Sequence, residues 1–202
     1  KPGIYIVSAP PKEGLTTAWQ CMLLSSDRLT RDCIGMVTKA NEEETAIENI
    51  VLKYYEAAGQ GKPNQKEATV AALLTRPDSI AMPHIESPEV TDVLTTAVAD
   101  QDVAVWLQAS AKSAVEALFI HLRNSKNPNQ FAESVRFVTN QRLARRLCDH
   151  CKQEIRVKPE LIKQLGGDPR KQTTIFQAFR LPPPEQRVDQ NGKPIEYPTC
   201  QT

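Results

Sequence analysis

From Ile4 to about Arg123 the chain alternates short β-branched runs with longer stretches of helical pattern, and this limits its fold more than any other feature. GIYIVSA (Gly3–Ala9), CIGMVT (Cys33–Thr38), SIAM (Ser79–Met82) and VAVWLQ (Val103–Gln108) read as strands apolar enough to be buried on both faces. Helical stretches are expected at about Thr16–Ser25, through the acidic stretch Asn41–Glu44 to about Ala57, at Glu67–Leu74, from Pro88 to about Ala99, and at Ala111–Arg123. Glu43 and Glu44 suit the positive end of a helix, and Pro88 suits a first helical turn. Strand alternating with helix requires crossovers between parallel partners, so the expected class is α/β, a parallel sheet with flanking helices. NSKNPNQ (Asn124–Gln130) breaks the pattern. The expected domains are therefore 1–125 and a smaller, looser 126–202. The second begins with a long helix over Phe131–Leu147 and continues through CDHCK into a tail containing GGDP and LPPPE.

Composition narrows the function classes. Hydrophobic residues make up 40% and charged residues 24%, enough to build a core and too apolar for a disordered chain. A net charge of +1 gives no overall field to draw the protein onto nucleic acid or an anionic membrane. No apolar run approaches the roughly 18 to 20 residues of a transmembrane segment. The chain starts at Lys1 with Ile4–Val7 already apolar, which is not a signal peptide and reads as a fragment cut just before a strand. Five cysteines, of which only Cys148 and Cys151 are close, suit a reducing compartment better than a disulfide framework.

After the first strand comes APPKEGLTT (Ala9–Thr17), where a phosphate-binding loop would stand. That loop, G-x-x-x-x-G-K-[ST], cradles phosphates with backbone N–H groups, neutralises them with Lys and holds Mg²⁺ with Ser or Thr. Here Ala9 takes the place of the first Gly, Gly14 the second, Leu15 that of Lys and Thr16 that of Ser/Thr, with Thr17 following. Leu15 removes the cation, Glu13 adds a carboxylate that would repel phosphate, and the Lys12 side chain starts three residues too early. Two readings stand: an ordinary strand-to-helix turn, or a weak anion site built on Thr16 and the helix N-terminus.

Three further segments share a pattern. VTNQRLARRLCDHCK (Val138–Lys152), GIYIVSAPPKEGLTTAW at the start, and AALLTRPDSIAM (Ala71–Met82) occur in order. In these the chain resembles, over nearly its whole length, the C-terminal motor domain of the type II secretion and type IV pilus assembly ATPases (general secretion pathway protein E-like). The resemblance implies a RecA-like sheet with ATP and Mg²⁺ as ligands. It also implies a homo- or hetero-hexameric ring shared with paralogues, inner-membrane secretion or pilus components as partners, and a cytoplasmic place peripheral to the bacterial inner membrane.

The chain departs from that family where chemistry is done. Thr38 and Lys39, with Glu42 further on, stand where the family has its Asp box. Pro83, His84, Ile85, Glu86 and Ser87 replace G-E-I-R-D, which puts His84 at the catalytic Glu. Leu107, Gln108, Ala109, Ser110 and Ala111 replace T-L-H-T-N, which puts Ala109 at the histidine. Phosphoryl transfer rests on such positioning and charge-neutralising groups, each supplying a few kcal/mol. The resemblance therefore implies a hydrolysis-deficient structural or regulatory member with no catalytic residues of its own. The alternative is a weakly active ATPase using Thr16, Lys12 and Glu86 in displaced roles. Arg142, Arg145, Arg146, Lys152, Arg156 and Lys158 form a basic run, but no aromatic platform accompanies it and nucleic acid is not expected as a partner. On plainer readings His84 is a surface loop residue, His121 a partly exposed helix residue and Glu42–Glu44 a solvated helix start, while Trp19 and Trp106 pack in the core or an interface.

Cys148-Asp-His-Cys151 has the spacing of half a structural zinc site. Cys200 stands near the end, farther off than the roughly 15 to 20 residues of small zinc ribbons, although the family also places its second pair well downstream. Zinc on Cys148, Cys151 and Cys200 is expected only if the chain continues past Thr202. Within this fragment His150 would have to help.

Overall fold

The strand-forming runs of the first part of the chain assemble into one parallel sheet. The computed structural model describes residues 1–56, 63–168, 170–171, 174–179, 183, 187 and 193–195, and divides into two units, Lys1–Leu143 and Ala144–Thr202. In the first unit the strands are β1 (Gly3–Ala9), β2 (Cys33–Val37), β3 (Ile50–Tyr54), β4 (Ser79–Met82), β5 (Ala104–Ser110) and β6 (Val135–Asn140). They lie in the order β3-β2-β4-β5-β1-β6 with every pairing parallel. The helices are α1 (Leu15–Leu24), α2 (Glu42–Thr45), α3 (Gln65–Leu73), α4 (Pro88–Gln101), α5 (Ala114–Arg123) and α6 (Pro128–Ser134).

Strand alternation sorts the core into two layers. Ile4, Ile6, Ile80, Met82, Val105 and Leu107 face one side, where they pack with Ala72 of α3, Leu94 of α4, Ala117 of α5 and Phe131 of α6. Val7, Cys33, Ile50 and Ala81 face the other, under Trp19 and Leu23 of α1. Local signals set the helix starts. The Asn64 side chain accepts the Glu67 N–H while Glu67 accepts the Asn64 N–H, and Ser113 accepts the Glu116 N–H. Gly35 allows a close approach: a Cβ there would lie 2.9 Å from both Leu52 Cδ2 and Thr45 Cγ2.

Two expected helices are corrected. The stretch expected to be helical to about Ala57 forms only the short α2, because Asn49 adopts a left-handed φ of 66° and Ile50–Leu52 pair with β2 as an edge strand. The helix expected over Phe131–Leu147 ends at Ser134, and Val135–Asn140 instead pair with β1. The β-branched residues Val135, Val138 and Thr139 prefer the pleated surface beside β1 to a continued helix. The first unit consequently runs on past residue 125 to Leu143.

In the second unit, β7 (Gln153–Arg156) and β8 (Thr174–Gln177) pair antiparallel around α7 (Pro159–Gln164), and Lys152 Nζ lies 4.9 Å over the Phe176 ring. Cys200 falls outside the described residues. Among the described residues no helix is long and apolar enough to cross a membrane.

Candidate functional site

The connection leaving β1 leads to β2 on one side, and the connection leaving β5 leads to β6 on the other. The crevice at the carboxyl ends of β1 and β5, where Ala9 lies beside Ser110, is therefore the topological switch point at which such sheets bind ligands. The loop Pro10–Glu13 opens onto it.

The loop turns through two left-handed residues. Lys12 and Gly14 have φ of 64° and 81°, and the Glu13 N–H between them donates to the Pro10 carbonyl at 3.1 Å. Left-handed backbone is natural for glycine and costly for lysine. α1 has Gly14 as its N-cap, with no side-chain cap and no acidic residue in its first turn, so its N-terminal dipole is uncompensated from within the helix. Leu15 is half-buried and apolar, and Thr16 and Thr17 are exposed. The Glu13 carboxylate does not stand in the loop's mouth: it accepts the Leu143 N–H at 2.7 Å. The Gln141 side-chain amide donates to the Glu13 and Gly14 carbonyls at 3.1 and 2.8 Å.

The other expected positions are held by packing and hydrogen bonds. Ala109 is 7% exposed and belongs to the α3–α6 side of the core, so no polar group reaches the crevice from the His-box position. Gln108 faces the opposite side and donates to Glu44 Oε2 at 3.0 Å. Trp19 Nε1 donates to Thr45 Oγ1 at 3.1 Å, so α1, α2 and β5 are joined around the crevice. The buried Gln65 donates to the His84 carbonyl and accepts the Glu86 N–H at 2.8 Å, which fixes the backbone after β4. The side chains of His84 and Glu86 point to solvent. At the Asp-box position Thr38 donates to Asn41, and Lys39 Nζ lies 3.1 Å from Glu42 Oε2 and 4.5 Å over the Tyr54 ring. Hydrogen bonds from Tyr54 and Lys39 hold the Glu42 carboxyl below its ordinary range.

His121 corrects a plainer expectation: it is 5% exposed, and burial pushes its pKa down to about 4, against an opposing contact with the Gln108 backbone. Trp19 is fully buried, while Trp106 is half-buried and stacks on Tyr5 with ring centroids 4.5 Å apart.

ATP and Mg²⁺ fit these residues poorly. Half-buried Leu15 offers the phosphates no charge in the first turn of α1, buried Ala109 offers no polar group, and the Glu13 N–H is already given to the Pro10 carbonyl. Among the described residues no cluster of three or more metal-ligating side chains occurs. Cys148 and Cys151 are half-buried, and two thiols are half the number of ligands a closed zinc site requires.

Gln141 and Gln65 are functional positions that the sequence motifs do not mark directly, and Glu44, expected as part of a solvated helix start, instead accepts a hydrogen bond from Gln108. Gln141 lies inside the quoted Val138–Lys152 segment, and Gln65 follows the N-cap asparagine of an Asn-x-x-Glu capping box; both signals were present.

Sheet order, crevice and loop define a RecA-like α/β unit with a P-loop-like turn. The sequence profile of the Type II/IV secretion system protein family matches residues 3–183, and the chain belongs to that family. No curated protein matches it. Similar solved structures include the X-ray structure of the Legionella pneumophila ATPase DotB, at 14% identity and a TM-score of 0.49, covering 67% of this chain and 39% of that one. They also include the pilus retraction motor PilT with bound ADP, at 17% identity and a TM-score of 0.47, covering 64% of this chain and 37% of that one. The chain thus spans about two fifths of the length of either structure.

Proposed function

We propose that this chain is a hydrolysis-deficient structural or regulatory member of the type II/IV secretion ATPase family. In this reading it joins a homo- or hetero-hexameric ring with family paralogues. The ring works with inner-membrane secretion or pilus components on the cytoplasmic face of a bacterial inner membrane. One observation supports this above the rest: half-buried, apolar Leu15 stands in the first turn of α1, where the family has the lysine that neutralises phosphate.

Phosphoryl transfer spreads charge over the equatorial oxygens and needs donors preorganised toward it. This chain retains a helix N-terminus and the Thr16 hydroxyl, which attract an anion weakly and stabilise no developing charge. Zinc belongs to the same reading only as a structural ion, held by Cys148, Cys151 and Cys200 with a ligand beyond Thr202. Isothermal titration with ATP and Mg²⁺ tests the nucleotide reading. The expected dissociation constant is millimolar or weaker, and micromolar affinity would overturn it.

A further inference from the structure

The segment from Gln141 to Leu143 is fastened beside the Lys12–Thr16 loop mainly by polar bonds. Gln141 continues the β1 pairing by donating its N–H to the Ser8 carbonyl at 2.9 Å, and its side chain donates to the Glu13 and Gly14 carbonyls. Leu143 donates its N–H to the Glu13 carboxylate, and Arg142 Nη2 donates to the Lys112 carbonyl at 2.8 Å. Apolar burial contributes little here: Leu143 is 65% exposed, and Arg142 and Ala144–Arg146 are exposed too. A segment held this way opens far more readily than the sheet unfolds.

Glycine at position 14 fits this arrangement independently. A Cβ on Gly14 would lie 2.9 Å from Gln141 Nε2 and 3.5 Å from Leu143 Cδ2, so a side chain there would displace the Gln141 amide from its two carbonyls, and the φ of 81° favours glycine as well. Glu13, a poor residue inside a phosphate loop, is well placed as the acceptor for a backbone N–H of that segment.

We propose that residues 141–143 form a strap, latched by Glu13 and Gln141, that couples the conformation of the Lys12–Thr16 loop to the exit of the chain from the first unit. Coupling of this kind is reciprocal: a change that reshapes the loop frees the strap, and pulling on the strap reshapes the loop. The device needs no bound nucleotide and converts a loop without phosphate-binding side chains into a mechanical contact.

Limited trypsin digestion of the full chain, read by mass spectrometry at Arg142, Arg145 and Arg146, tests it, with hydrogen exchange followed at Lys12–Thr16. Glu13→Ala lies far in sequence from the cleaved bonds. It is expected to raise cleavage there by on the order of tenfold, the ratio that loss of one charge-assisted hydrogen bond gives. Gln141→Leu is expected to do the same and to speed exchange in the loop, with exchange at Ile4–Val7 unchanged. If Gln141→Leu does not fold, Glu13→Gln decides, with an intermediate rise expected. Unchanged cleavage in the folded Glu13 variants overturns the strap. No nucleotide is present in the assay, so ATP turnover by this chain would overturn the functional reading and leave the strap standing.

Discussion

The Gln108 side-chain amide, near the end of β5, donates a 3.0 Å hydrogen bond to the Glu44 carboxylate of α2, and so ties together two positions that border the switch-point crevice. Gln108 is 7% exposed, and its Oε1 has no hydrogen-bond partner among the described residues. The bond to Glu44 therefore satisfies the donor side of this amide, while its acceptor stays unpaired among the described residues. Losing it strands a buried donor, which costs about 1–3 kcal/mol. Glu44→Ala is expected to lower stability by an amount in that range, Gln108→Ala, which removes the donor together with its unpaired acceptor, by less, and the double variant by less than their sum. Urea denaturation of all four proteins measures the coupling, and strict additivity would show that the pair is not a unit.

Burial of His121 makes stability depend on pH in a definite direction. Its folded pKa of about 4 lies below the unfolded value of 6.5. Between those values the unfolded chain takes up a proton that the native chain refuses, so stability is full above pH 6.5 and falls as pH drops toward 4. Replacing the side chain with Leu is expected to remove a few kcal/mol of that fall. Denaturant midpoints at pH 7 and pH 4.5 compare the two proteins. An equal fall in both would mean that His121 titrates freely in the native state.

Restoring one charge separates binding from catalysis. Leu15→Lys returns a cation to the first turn of α1, and a hydrogen bond to a charged group contributes about 1.5–3 kcal/mol, so ATP affinity is expected to improve roughly tenfold or more. Hydrolysis is expected to stay absent because Ala109 is packed in the core and the His84 backbone is held by Gln65. Titration and phosphate release on the variant check both halves. Turnover from this single change would show that the catalytic group lies elsewhere in the chain.

Where periodicity was strong, the sequence led directly to the fold. The four runs read as strands became β1, β2, β4 and β5, because Ile, Val and Met at alternating positions leave little choice once both faces must be covered. The two sheet edges were missed for a shared reason. β3 and β6 have partly exposed faces, with Val51 58% and Phe137 54% exposed, so their patterns mix polar and apolar residues and read as helix. The loop at Ala9–Thr17 was located from its place between strand and helix. What occupies it was not, because Glu13 meets Leu143 and Gly14 meets Gln141 across more than a hundred residues of chain. Such pairs form only when β6 takes its place beside β1.

The most direct measurement is Mg²⁺-dependent phosphate release from ATP by the full chain, beside its Thr16→Ala variant. Without the lysine, the glutamate and the histidine of the family's motifs, release is expected to equal that of buffer in both proteins, with no dependence on Mg²⁺. Release above buffer that disappears in Thr16→Ala would contradict the account, since it would place a working phosphate site at the start of α1.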